Sequence, residues 1–75
     1  MPVEDPHRIV CHLDDLLAER GLTLTALAET IGVSIVNLSV LKNQRAKAVR
    51  FSTLTAICDA LDCTVGDLFT VTQGN

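Results

Sequence analysis

Four cations, Lys42, Arg45, Lys47 and Arg50, follow one another in a part of the chain that holds no carboxylate, since no Asp or Glu occurs from Thr30 to Cys58. The rest of the chain carries two basic and nine acidic residues, so the net charge of -3 averages a segment of +4 with a remainder of -7. The local field decides where a polyanion can approach, and only the central segment can present a positive surface. Other chemistries find no support. The chain has no Gly-rich phosphate loop, nucleophile elbow or convergent triad, and Asp14 with Asp15 reads as a helix start, so no catalytic activity is expected. Cys11, Cys58 and Cys63, taken with His7 and His12, lack paired Cys-x-x-Cys spacing, so no metal site and no cofactor are expected. Three cysteines are an odd number, which suits free thiols in a reducing cytoplasm.

The elements that must position these residues come from a chain of 75 residues, 48% apolar and 20% charged, the profile of one small domain rather than a disordered tail. A chain this short buries only about 60% of the surface its unfolded form exposes, which favours self-association, here expected as a homodimer. No apolar run approaches the roughly 20 residues that span a bilayer, and Met1 to Asp5 do not read as a signal peptide, so a cytoplasmic location is expected. Leu13, Leu16 and Leu17 have helical spacing, preceded by a short β-branched stretch at Ile9 and Val10 and closed by Gly21. Thr23 caps a second helix from Leu24 to Ile31, ended by Gly32, and Ser34 caps a third that ends at Asn43, a residue tolerant of the left-handed conformation. Ser52 is expected to cap a fourth helix, with Leu54, Ile57, Cys58 and Leu61 on its apolar stripe. Thr64 and Asp67 form a capping box for a short fifth helix through Phe69. Val71 to Asn75 is expected to be loose or a short strand beside Ile9 and Val10. His12 is expected on the surface, Cys58 on the core side of the fourth helix.

The segment from Leu24 to Leu41 is the informative one. Two helices meeting at about 90 to 120° across a short turn need a small residue where the backbones approach and a residue free to take positive φ in the turn. Ala28 and Gly32 supply these, while Leu27, Ile31, Val33, Leu38 and Leu41 supply a shared apolar core.

Through Leu22-Thr23, Leu27-Ala28-Glu29, Gly32-Val33-Ser34, Asn37-Leu38-Ser39 and Leu41-Lys42-Asn43, then Arg45 to Phe51 and Gly66-Asp67-Leu68, the chain resembles the XRE family of Cro and phage-repressor-like helix-turn-helix regulators. The resemblance covers about residues 13–69, with the helix-turn-helix at 24–42 in a single domain of residues 1–75. It implies an all-α, five-helix, lambda-repressor-like DNA-binding fold, with or without a short terminal β-strand pair. It also implies a sequence-specific regulator, expected to be a repressor, that places the helix at 34–42 in the major groove of double-stranded DNA, with no membrane and no small-molecule substrate involved. Ser34, Ile35, Val36 and Val40 match positions that face base edges. Asn37 is a further candidate, because an Asn amide pairs with adenine in a bidentate way. Lys47 matches a phosphate contact, Arg50 an arginine reaching toward the minor groove, and Arg45 and Lys42 complete the basic set. Thr23 belongs beside a phosphate at an exposed helix N-terminus. The chain departs from the family's pattern with Leu24 in place of Gln, Gln44 in place of Gly, and aliphatic Ile35, Val36 and Val40. Those three side chains can touch thymine methyls but read no donors or acceptors. A second reading therefore stands beside the first: a protein-interaction module, of antitoxin or anti-repressor type, that docks a partner on the face of Ile35, Val36 and Val40.

Overall fold

The computed structural model describes residues 8–72, which leaves His7 and the tail beyond Thr72 outside the described residues. The order is β1 (Ile9–Cys11), α1 (Leu13–Arg20), α2 (Leu24–Ile31), α3 (Ile35–Lys42), α4 (Phe51–Leu61), α5 (Val65–Leu68) and β2 (Phe69–Val71). The all-α expectation therefore holds with the strand pair present. β1 and β2 run antiparallel, Ile9 opposite Val71 and Cys11 opposite Phe69, so β2 starts two residues before the expected strand and Phe69 leaves the fifth helix to open it.

Each helix start follows from side-chain chemistry except two. The hydroxyls of Thr23, Ser34 and Thr64 accept from the backbone N–H three residues on, satisfying a donor the helix cannot satisfy itself. Thr64 and Asp67 complete a capping box, and the two hydrogen bonds that Asp67 receives hold its carboxyl below the ordinary value. α1 has no side-chain cap. Nor has α4, and its start corrects the expectation: Ser52 lies inside the helix, and Arg50 is the flanking residue, its carbonyl accepting from Leu54 at 3.0 Å. The helix thus begins one residue before the hydroxyl that local propensity favours as a cap, with Phe51 in its first turn.

Helix ends share one device. A left-handed residue follows α1, α2, α3 and α4 at Gly21, Gly32, Gln44 and Asp62 respectively, and the next N–H bonds back to the carbonyl five residues earlier. For α3 this moves the left-handed position from the expected Asn43, which has φ -91°, to Gln44 at φ +66°. The N–H groups of Gln44 and Arg45 reach Leu41 and Val40 at 3.2 and 2.9 Å.

The core gathers Cys11, Leu13, Leu16, Leu17, Leu27, Ala28, Leu38, Leu41, Ile57, Leu61 and Leu68. No polar side chain is buried among the described residues. Burying each large aliphatic side chain contributes about 1.5–3 kcal/mol. Leu24, Ile31, Val33, Leu54 and Cys58 pack at its margin. Polar ties close the periphery: the Arg20 guanidinium donates to the carbonyl of Leu61 at the end of α4. His12, expected on the surface, is half-buried, with its Nε2 2.7 Å from Thr70 Oγ1 on β2.

Candidate nucleic-acid interface

α3 divides its residues cleanly. Leu38 and Leu41 face inward at 1% and 6% exposure, which fixes the roll of the helix and turns Ile35, Val36, Asn37 and Val40 outward. Val36 is the most open of its aliphatics at 66%, and Val40 lies one turn further along the same face. Six of the positions singled out from sequence therefore fall on two neighbouring helix starts and one helix face: Thr23, Ser34, Ile35, Val36, Asn37 and Val40.

Both hydroxyls at the helix starts already have work. Thr23 Oγ1 accepts from Ala26 N–H at 3.0 Å and Ser34 Oγ from Asn37 N–H at 3.1 Å, yet each keeps its own O–H to donate. The first N–H groups of α2 and α3 have no intrahelical acceptor, so these ends carry a partial positive charge. An open cleft of about 470 Å³ runs along the elbow of α2 and α3, lined by Thr25, Ala28, Glu29, Gly32, Val33, Ser34 and Ile35, with Glu29 its one charged residue.

The basic residues are distributed unevenly. Arg45, Lys47 and Arg50 are exposed and lie in the connection that leads from the end of α3 to the start of α4. Lys42 differs: its ammonium is half-buried and 3.8 Å from the Asp14 carboxylate of α1. An ion pair this exposed on its acidic side contributes no more than about 0–1 kcal/mol.

Two residues with a bearing on this surface escaped the sequence reading. Gln44 anchors the basic connection: its Nε2 donates to the Cys11 carbonyl and its Oε1 accepts from the Cys11 N–H, both at 2.8 Å. Its departure from a glycine pattern was the available signal, but the 33-residue separation from Cys11 hid the partner. Phe51, beside Arg50 in the first turn of α4, is 85% exposed, an aromatic face at the end of the basic run. Its place between Arg50 and the apolar stripe read only as part of the helix start.

Among the described residues, no group of three His, Cys, Asp or Glu side chains is arranged to hold a metal ion, and no helix is long and apolar enough to cross a membrane.

Residues 12–74 match the family of Cro/C1-type helix-turn-helix DNA-binding domains. The chain is 50% identical over 60 residues to YozG, an uncharacterized helix-turn-helix-type transcriptional regulator of Bacillus subtilis (strain 168), covering 80% of this chain and 71% of that protein. Among solved structures, the clp gene regulator ClgR from Corynebacterium glutamicum superposes with a TM-score of 0.66 and 40% identity. The match takes in 73% of this chain but only 57% of ClgR. The transcriptional regulator VanUg superposes over 96% of both chains, with a TM-score of 0.72 and 26% identity.

Proposed function

This chain belongs to the Cro/C1-type helix-turn-helix DNA-binding family, and from that premise we propose that it is a homodimeric, cytoplasmic repressor that lays α3 in the major groove of an operator. The family makes it a DNA-binding regulator. The observation that carries it is the outward face of α3, with Val36 and Asn37 exposed, leading directly into the acid-free run of Arg45, Lys47 and Arg50.

In this reading the backbone contacts position and the base contacts specify. Thr23 and the first N–H groups of α2 grip one phosphate, and Arg45 and Lys47 grip others beyond α3. Lys42 exchanges its weak pairing with Asp14 for a phosphate. Asn37 pairs with an adenine through its amide, Ile35, Val36 and Val40 pack on thymine methyls, Ser34 donates to a base edge and Arg50 reaches the minor groove. A homodimer would present two such surfaces to half-sites about 34 Å apart. The small core and the exposed apolar side chains support self-association.

The test is selection of bound duplexes from a random pool, followed by fluorescence anisotropy of the selected duplex at increasing salt. A two-fold-symmetric, A·T-containing site whose affinity falls log-linearly with salt supports the reading. A salt-independent signal, or no enriched sequence at all, overturns it.

A further inference from the structure

The motif that ends α4 brings two cysteines together. In such helix ends, the residue three from the C-terminus and the residue after the left-handed one commonly touch through apolar side chains. In α1 that pair is Leu17 and Leu22, and in α2 it is Ala28 and Val33, each marked by the backbone bond that closes the motif. In α4 the same pair is Cys58 and Cys63, joined by a 3.0 Å bond from Cys63 N–H to the Cys58 carbonyl, with Asp62 left-handed between them. The closed turn thus sets the two side chains beside one another, both are partly exposed, and both are unbonded thiols.

We propose that Cys58 and Cys63 are a modification site that closes reversibly to an intramolecular disulfide by exchange with a small-molecule disulfide. One thiolate attacks a sulfur of the small disulfide, forming a mixed disulfide and expelling one thiolate. The second cysteine, deprotonated, attacks the protein-bound sulfur and expels the other. The protein pair gives up two electrons and two protons, and the small disulfide leaves as two thiols. Disulfide geometry requires Cα atoms within about 7 Å, a condition the closed turn favours without movement of α4. Burial and the neighbouring Cys58 push the Cys63 thiol up, so the exchange quickens from neutral to mildly alkaline pH. The site sits at the corner where α1 and α4 end and α5 begins, with Arg20 and Asp67 nearby, and takes no residue from α3. Cys11 is an internal control, being buried on β1 and without a cysteine in the corresponding position.

The experiment treats the full chain with oxidised glutathione, quenches, and alkylates the remaining thiols under denaturing conditions. The expected product is a monomeric chain about 2 Da lighter than the reduced chain before alkylation, with one alkyl group added after it, on Cys11, with Cys58 and Cys63 linked in the peptide map, and with full reversal by dithiothreitol. The Cys11→Ser variant forms the bond at the wild-type rate. Cys58→Ser and Cys63→Ser, checked for helicity by circular dichroism, stop at a glutathione adduct. A persistent adduct on the wild type, a bond to Cys11, or a covalent dimer overturns the proposal, and the wild-type and Cys11→Ser results decide it even if a serine variant unfolds.

Discussion

Gln44 and Cys11 hold one another by two hydrogen bonds of 2.8 Å, the side-chain amide of one matching both peptide groups of the other. Gln44 thus occupies the outer edge of β1 in the manner of a third strand one residue long, covering polar groups that an edge strand leaves open. It does so from a backbone at φ +66°, a conformation that costs a non-glycine residue of order 1 kcal/mol and persists because the surroundings fix it. The anchor also sets where the basic connection leaves α3.

Gln44→Ala keeps the unfavourable backbone conformation and removes both bonds. The expected loss is about 1–3 kcal/mol, read as a lower urea midpoint at unchanged slope. Gln44→Gly relieves the backbone and so loses less. Equal stability of the alanine variant and the wild type would show that water replaces the amide at no cost.

Leu38→Ala empties a fully buried position on the inner side of α3. It should destabilise the domain by about 2–5 kcal/mol, a large share of what so small a fold possesses. Thermal melts followed by circular dichroism check this, and the same change at the exposed Val36 should leave the melting temperature nearly unmoved.

Arg50→Ala and Lys47→Ala should each weaken duplex binding at every sequence and reduce the slope of log affinity against log salt by about one. Anisotropy titrations at four or five salt concentrations measure both quantities. Slopes identical to wild type in both variants would remove these residues from the phosphate contacts.

Val36→Asp places a carboxylate on the outward face of α3 without touching the core. Binding to the selected operator should fall at least tenfold, about 1.4 kcal/mol, with helicity preserved. Retention of DNA affinity would favour the second reading, in which Ile35, Val36 and Val40 dock a protein.

Asp67 contributes to stability with a definite pH dependence. The Thr64 N–H and hydroxyl hold its carboxyl below the ordinary value, so the unfolded chain binds that proton more readily than the folded one. The contribution is therefore complete above the ordinary Asp value of about 3.9 and disappears as pH falls through the lower folded value. Urea midpoints of wild type and Asp67→Asn should differ at pH 6 and converge toward pH 2. A constant gap would place the effect elsewhere.

What the amino-acid sequence makes legible is what is local. Thr23, Ser34 and Thr64 cap helices because a hydroxyl reaches an N–H three residues away, and Gly21 and Gly32 end them because φ is positive there. The outward set on α3 was legible for the same reason, since Leu38 and Leu41 fix its roll. Long-range partnerships were not. The Gln44 clamp on Cys11, the tie of His12 to Thr70 and the contact of Lys42 with Asp14 join segments far apart in the chain. The start of α4 was misplaced because Ser52 satisfies a local rule that continuation of the helix through Phe51 overrides.

α3 divides between an interior held by leucines and an exterior whose side chains take no part in the core. Exchange of Ile35, Val36, Asn37 and Val40 leaves the buried leucines in place, so under the proposed function the address the scaffold reads is rewritten in four letters while its folding instructions stay intact.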